Sequence, residues 1–413
     1  MELDVTLPEG SCRALAYPPL VGRPEPGDTV LLNTTALAMG LGTGGYAMVV
    51  AVPDRLPEDP QGPGHLVKAR YTPLQATVLG ADEQDSPHHE TLREADSVDG
   101  MPVVVADLHS ALPAILCGLY GSHPERAPET RAPAARTDGP RPRTAPEADG
   151  PRPEVAREVD GPRQEVSREV DGSRQEVADP RPEGGAQGTD GSREDPASAR
   201  RPLRVAYVML DGGALPAWFS MSAARLRELG WLCGVVTTGQ AFGGDVEAVT
   251  VHTGLLAARH VLSADVAIVT QGPGNLGTGT RWGFSGVSAG EAVNATAVLG
   301  GRPVGALRVS EGDLRARHIG VSHHSLTAYG RVALAPAQVV VPDLPGAFGE
   351  RVRQQAAALG DRHELVNVPV DGLAKLLEDS PVKLSTMGRG LDRDLAGFLA
   401  SAAAGRHAAS LLG

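Results

Sequence analysis

Residues 265–280 read DVAIVTQGPGNLGTGT, an apolar run followed by a loop rich in glycine. The run has the length and composition of a buried β-strand, and the loop leaves its carboxyl end. Glycine adopts positive φ without strain and lets the backbone approach a ligand closely, so such a loop is typical of a binding site in an α/β domain. The stretch therefore predicts both the fold class and the position of a site.

The sequence around this stretch alternates between apolar strands and amphipathic helices. Further strands are predicted at residues 101–107, 203–210, 231–237, 303–309, 331–341 and 364–370. Helices are predicted at residues 108–119, 215–229, 246–262, 289–299, 348–359 and 391–412. This alternation indicates an α/β fold with a mostly parallel, Rossmann-like sheet covered by helices on both faces.

Two segments of the chain break the pattern. Residues 1–63 contain short strands split by Pro and Gly turns, which predicts a small β-barrel-like domain. Residues 122–202 lack Leu, Ile, Met, Phe, Tyr and Trp, and their Asp-Gly pairs recur every eleven residues. Such a segment cannot build a core, so we predict a disordered insertion between the two parts of the α/β domain, residues 64–121 and 203–413.

The composition of the chain argues against some classes of binding partner. The formal net charge of −12 argues against nucleic acid and anionic membranes, which attract basic surfaces. No apolar run approaches the ~18 residues that span a bilayer, and the three cysteines have no metal-type spacing. We expect a cytoplasmic protein whose partner is a small molecule. The oligomeric state stays open.

Polar residues collect where the predicted strands end. Six such places carry acids, amides or imidazoles, namely residues 82–89, 107–110, 211–213, 238–240, 271–272 and 310–311. In a parallel sheet these ends share one edge, where open α/β proteins bind ligands. Any one Asp could instead only cap the helix that follows it. Six places together favour a ligand-binding cleft.

Candidate roles follow from side-chain chemistry. Acids and imidazoles that can exchange protons near neutral pH are candidate catalytic residues, namely Asp107, His109, Asp211, His323 and His324. Asp85, His88 and His89 are metal-type ligands, so a divalent metal is a candidate cofactor. Lys68 is a candidate anion clamp, with a solvated lysine at a strand edge as the alternative.

The loop that begins at Gly272 fits the pattern G-x-G-x-x-G but not its context. Pro273 stiffens it, the next helix starts late, and neither the required acidic residue nor a Walker lysine follows. We interpret it as a loop that closes over a small polar ligand, phosphorylated or nucleotide-like, with a loop shaped only by packing as the alternative. The candidate ligand-binding residues are Lys68, Gly212, Gly213, Gln240, Gln271, Gly272, Gly274, Asn275, Gly277, Thr278 and Gly279.

Several phrases resemble an uncharacterised bacterial family, known from actinobacteria and firmicutes, whose domain has no known function. They lie at residues 32–37, 41–46, 65–74, 207–216, 271–283 and 322–330. The resemblance covers nearly all of the chain except the insertion, which is an addition to the family's pattern. It implies no activity, because none is established for the family.

Two further functions stay open beside small-ligand binding. One is a non-catalytic regulatory or interaction protein, in which the β-rich domain and the insertion serve partners. The other is a metal-dependent hydrolase. Because no nucleophile elbow, Ser-x-x-Lys or Cys-x-x-Cys motif is present, the sequence does not decide whether the protein is an enzyme.

Overall fold

The computed structural model describes residues 1–41, 43–59, 62–128 and 201–412, and its first element is a small sheet. The strands are β1 (Glu2–Leu7), β2 (Gly10–Leu15), β3 (Leu31–Asn33) and β4 (Ala47–Ala51), in the order β1-β2-β4-β3. The short helices α1 (Pro18–Val21) and α2 (Thr35–Ala38) connect them. Small side chains, among them Ala14, Ala47 and Val49, fill a core of its own. The β-rich amino-terminal region is thus confirmed.

A hairpin and a short helix follow. The hairpin pairs β5 (Leu66–Lys68) with β6 (Ala76–Val78), and the helix is α3 (His89–Arg93). The sequence had suggested that the polar residues 82–89 follow a strand of the main sheet. In the structure they follow an antiparallel hairpin. Their loop joins the main sheet only at its edge, where the Ala81 N–H donates to the carbonyl of Glu247 at 2.8 Å.

The main sheet has eight parallel strands. They are β7 (Pro102–Val105), β8 (Val205–Leu210), β9 (Gly234–Thr237), β10 (Val246–Glu247), β11 (Val266–Gln271), β12 (Arg302–Ala306), β15 (Gln338–Asp343) and β16 (Glu364–Pro369). A ribbon of β13 (Val309–Ser310) and β14 (Gly320–Val321) follows β12. The sheet order is β10-β9-β8-β11-β7-β12-β15-β16. Every residue of β8 and β11 is buried, as expected for apolar strands covered on both faces.

Helices cover this sheet. They are α4 (Leu112–Ser122), α5 (Met221–Glu228), α6 (Val251–His260), α7 (Ser288–Val298), α8 (His323–Thr327), α9 (Gly346–Ala356), α10 (Leu373–Glu378) and α11 (Leu391–Ser410). The buried helix α4 packs against α10 and α11, while α6 packs against α7. The predicted Rossmann-like α/β architecture is confirmed.

The chain leaves the two central strands in opposite directions. After β7 and α4 it enters β8, two positions to one side, whereas after β11 and α7 it enters β12 on the far side of β7. Open α/β sheets bind ligands where the strand order reverses in this way. The carboxyl ends of β7 and β11 are therefore the place to look for a site.

Among the predicted elements that differ from the structure are a strand and a helix. The strand expected at residues 331–341 begins only at Gln338, because α8 continues into a π-helical turn, Ala328–Val332. The helix expected at residues 246–262 begins only at Val251, behind its cap Thr250, because Val246 and Glu247 pair with β9 as an edge strand. Both differences come from pairing and packing partners that lie far away in the sequence.

The disorder predicted for residues 122–202 lies outside the described residues, apart from its two ends. There, a 3-10 turn at Pro124–Arg126 follows α4, and the Leu203 N–H donates to the Arg126 carbonyl at 2.9 Å. Contacts group Met1–Arg131 and Ala199–Gly413 into one compact unit. Among the helices of the described part, none is both long and apolar enough to cross a membrane.

Candidate functional site

A buried acid marks the carboxyl end of the central strand β7. Asp107 is 3% exposed, and its Oδ2 lies 3.4 Å from Nδ1 of His324 and 3.8 Å from Nη1 of Arg308. Arg308, which follows β12, also places Nη1 3.1 Å from Nδ1 of His324. An acid, a guanidinium and an imidazole from three separate segments therefore meet at the predicted edge. The sequence predicted Asp107 and His324 but missed Arg308.

The glycine-rich loop after β11 reaches the same place. Gln271 donates from Nε2 to the carbonyl of Asp107 at 2.8 Å. Asn275 accepts a hydrogen bond from the Ser285 hydroxyl at 2.8 Å, and its Nδ2 lies 3.5 Å from Nδ1 of His324. The predicted residues Gln271 and Asn275 thus line the group around Asp107.

Three histidines form a cluster next to this group. The ring centroids of His318, His323 and His324 lie 4.4 to 5.0 Å apart, and the ring of Phe284 stacks on His324 at 3.8 Å. Burial is the main cause that lowers the pKa of His318 to about 3 and that of His323 to about 4, with nearby Arg308 adding to both effects. Both rings are therefore neutral at pH 7. His318 was missed because nothing near it in the sequence suggests that the chain turns back at β14.

Buried polar atoms without a hydrogen-bond partner concentrate at this site. In the described part of the chain five buried side-chain atoms lack one, and three of them are Oδ2 of Asp107, Oε1 of Gln271 and Nε2 of His323. Such atoms cost about 1–3 kcal/mol each unless water, an ion or a ligand satisfies them. A cavity of about 30 Å³ beside Asp107 and Arg308 has room for a water-sized group. These unpartnered atoms and the cavity make the surroundings of Asp107 the candidate site.

The glycines of the two central loops serve mainly to pack backbone against backbone. A Cβ on Gly213 would lie 2.2 Å from the Gly272 carbonyl oxygen, and one on Gly272 would lie 2.3 Å from that of Ala214. A Cβ on Gly212 would lie 2.7 Å from Oε1 of Gln271. These three glycines therefore hold the loops after β8 and β11 together at the site.

The outer half of the glycine-rich loop folds on itself. The Thr278 N–H donates to the Gly283 carbonyl at 2.8 Å, and Gly277 begins this turn. Gly274 and Gly279 have φ of +85° and +81°, which a side chain would strain. A Cβ on Gly274 would meet nothing within 4 Å, so this glycine alone of the two leaves open space beside it.

An open cleft of about 670 Å³ adjoins the histidines. Its lining includes His323 and three arginines, Arg281, Arg317 and Arg331, and no acidic residue. Within the described residues none of the three guanidinium groups has an ion pair or a side-chain hydrogen bond. The cleft is therefore a positively charged surface on a chain whose net charge is −12.

Comparison with protein families identifies the chain. A model for a family of proteins of unknown function, DUF3866, matches residues 13–138 and 195–405. The chain belongs to this family. The matched segments contain every site residue described above and leave residues 139–194, which carry most of the repeats, unmatched. No curated protein and no solved structure matches significantly.

In this DUF3866 chain, Lys68 has a structural position. Its side chain is 3% exposed, and its Nζ donates to the carbonyls of Thr237, Ala241 and Ala248 at 2.8 to 3.1 Å and pairs with Glu247 at 3.0 Å. Its donors are all engaged, so it is neither free to clamp an anion nor solvated at a strand edge. Both interpretations of the sequence are corrected.

Asp211 and Gln240 form a second polar group away from Asp107. Oδ2 of Asp211 accepts from the Gln240 N–H at 2.8 Å, and Oε1 of Gln240 accepts from the Arg70 N–H at 3.1 Å. These bonds tie the loops after β8 and β9 to the β5–β6 hairpin. In the described part, neither side chain bonds to the residues around Asp107.

His109 is a half-buried member of a hydrogen-bond network in the DUF3866 fold. Its Nδ1 lies 2.9 Å from the Tyr207 hydroxyl and its Nε2 lies 2.7 Å from the Ser220 hydroxyl. Burial lowers the pKa of His109 to about 4. With both nitrogens engaged, this ring positions α5, which Ser220 caps, and does not face the cleft.

The predicted metal ligands Asp85, His88 and His89 are not brought together. Nδ1 of His89 instead lies 2.8 Å from the Asp82 carbonyl. In the described residues, the one group of three His, Cys, Asp or Glu side chains close enough to hold a metal is His318, His323 and His324. The structure thus joins Asp107, His323 and His324, and leaves His109 and Asp211 apart.

Proposed function

We propose that this DUF3866 protein binds a small anionic molecule, phosphorylated or nucleotide-like, in the cleft at the carboxyl edge of its sheet. The observation that carries the proposal is a set of three arginines around one cleft, Arg281, Arg317 and Arg331, which have no ion pair with any residue that the structure describes. Guanidinium groups present a planar fork of donors that matches phosphate oxygens. Three guanidinium groups without an acidic partner in the described part of the chain favour an anion as the ligand.

The arginines come from three different elements. Arg281 lies in the glycine-rich loop, Arg317 in a 3-10 turn before β14, and Arg331 in the π-helical turn after α8. A Cβ on Gly279 would lie 3.7 Å from Nη2 of Arg317, so the tip of the loop reaches the cleft. An anion bound here would bridge the three segments.

The first test is binding of inorganic phosphate and of adenosine monophosphate to the full chain in the presence of EDTA, measured by thermal shift and calorimetry. We expect Arg317→Ala and Arg331→Ala each to weaken binding about 10-fold or more, because each removes a charge-assisted bond worth about 1.5–3 kcal/mol. Arg351→Ala is the matched control, an exposed arginine on α9 outside the cleft. Equal losses in all three variants, or no binding to the wild type, would overturn the proposal.

A further inference from the structure

We propose that His318, His323 and His324 form a binding site for one divalent transition-metal ion of the zinc class. One ligand atom from each ring lies within 4.8 Å of the other two. A zinc ion that binds nitrogen at about 2.0–2.1 Å in tetrahedral geometry separates its ligands by roughly 3.4 Å. Small rotations of the rings therefore bring the three nitrogens to coordination distance. Three imidazoles with a fourth position left to water or ligand are a known zinc arrangement.

Each ring has one nitrogen left for a metal. Nδ1 of His318 is held by the Ser322 hydroxyl at 2.8 Å, which leaves Nε2 without a hydrogen bond in the described part. Nε2 of His323 is buried and has no partner among the described residues. Nδ1 of His324 faces Asp107 and Arg308, and its Nε2 makes no hydrogen bond to any described residue. Each of the three clustered rings thus has a nitrogen without a hydrogen bond to the described residues.

The groups beside His324 allow a metal. Histidine ligands of metals usually donate their other N–H to a carboxylate or a similar acceptor, which fixes the ring. In the structure Nδ1 of His324 accepts from Nη1 of Arg308 at 3.1 Å, and Oδ2 of Asp107 lies 3.4 Å from the same nitrogen. A metal on Nε2 would place the proton of His324 on Nδ1, so that Nδ1 would donate to Asp107 in place of accepting from Arg308. A metal would then satisfy two of the unpartnered atoms, on His323 and on Asp107.

The local chain conformation positions the ligands. His323 and His324 begin α8 behind the cap Ser322, whose hydroxyl also holds His318. The three ligands are therefore positioned by one short segment of chain.

Mere packing of the rings is the competing explanation. The stack of His324 on Phe284 and the edge contacts among the histidines stabilise the cluster without an ion. Packing alone leaves Nε2 of His323 buried without a partner, at a cost of about 1–3 kcal/mol. A bound metal accounts for that atom, and packing does not. The inference does not depend on the anion cleft, although His323 borders both.

The test is a titration of the EDTA-treated full chain with Zn²⁺, and with Co²⁺ as a spectroscopic probe, without phosphate. We expect one ion per chain, and absorption bands of tetrahedral Co²⁺ that zinc abolishes. His318→Ala and His323→Ala should each weaken zinc binding roughly 100-fold, and Asp107→Asn about 10–100-fold. His252→Ala, an exposed histidine of α6, is the control and should bind like the wild type.

Outcomes separate the two proposals. Arg317→Ala should lose phosphate affinity in EDTA but keep its zinc affinity. Circular dichroism and the melting temperature show whether each variant is folded, and His323→Ala, whose ring is only half-buried, is the variant least able to disturb the core. The metal site would be disproved by a wild type that binds no stoichiometric zinc or cobalt, or by folded His318→Ala and His323→Ala variants with unchanged affinity.

Discussion

His109 couples the stability of the fold to pH. In the native state burial lowers its pKa to about 4, whereas an unfolded histidine titrates near 6.5. Between these two pKa values His109 is protonated in the unfolded chain but not in the native state. The free energy of unfolding therefore decreases as the pH falls from about 6.5 to about 4. For this one group the loss between neutral pH and pH 5 is about 2 kcal/mol.

The prediction concerns the variant His109→Gln. It should be less stable than the wild type near pH 7, because the bonds to Tyr207 and Ser220 are disturbed. Since glutamine does not titrate, the gap should narrow by about 2 kcal/mol near pH 5. Urea unfolding at both pH values measures it, with the exposed His252→Gln as control. A gap that stays constant with pH would contradict the buried neutral ring.

Some positions of single residues at the site could be predicted from the sequence, and others could not. The convergence of Asp107, Gln271 and Asn275 was predictable, because the ends of strands in a parallel sheet meet at one edge. His323 and His324 were candidates by side-chain chemistry alone, since they follow β14 of the antiparallel ribbon. His318 and the arginine cleft were not, since they depend on how the chain folds back after β12. Lys68 was misinterpreted because its acceptors are carbonyls of residues more than 160 positions away, which leave no mark in its own neighbourhood.

At the scale of elements, α4 and α11 approach so closely that their glycines are required. A Cβ on Gly118 would lie 1.8 Å from the Ala402 carbonyl oxygen, and one on Gly405 would lie 1.9 Å from that of Ile115. Backbone touches backbone at both places, and neither helix can yield without moving away from the sheet. The small residues of α11 thus set the distance between the two helices.

Gly118→Ala should therefore destabilise the protein by about 3 kcal/mol, although alanine in a helix normally stabilises by about 1 kcal/mol relative to glycine. Gly121→Ala in the same helix is the control, because its Cβ would meet only the flexible end of the Leu376 side chain. The free energy of unfolding in urea decides between them. Equal stability of the two variants would show that the helices can separate without cost.

Most helices and strands could be predicted from the local hydrophobic pattern of the sequence. The exceptions depend on residues that lie far away along the chain. The apolar runs of β8 and β11 and the terminal helix α11 are specified by composition and period alone. The edge strand β10 exists because β9 offers it a pairing partner. The π-helical turn Ala328–Val332 buries Tyr329, whose hydroxyl donates to the carbonyls of Val105 and Ala306, so the sheet itself shapes that turn.

At the scale of the whole molecule, the ligand-binding and interaction hypotheses differ in whether the inserted repeats are needed for function. The family match stops at residue 138 and resumes at residue 195, and one compact unit joins Met1–Arg131 to Ala199–Gly413. At the base of the insertion the chain ends lie side by side, since Leu203 bonds to the Arg126 carbonyl at 2.9 Å. A short linker can therefore replace Ala132–Ser198.

We expect the variant with a short linker in place of Ala132–Ser198 to fold and to keep both affinities, for phosphate and for zinc, within about 3-fold of the wild type. Closing a shorter loop costs less entropy, so its free energy of unfolding should rise by about 1 kcal/mol. A second variant, with a Gly-Ser segment of the original length in place of the repeats, removes this entropy difference and should match the wild type. Loss of either affinity in both variants would show that the repeats complete the site. The interaction hypothesis predicts a different pattern, in which both affinities survive the deletion and function in the cell is abolished.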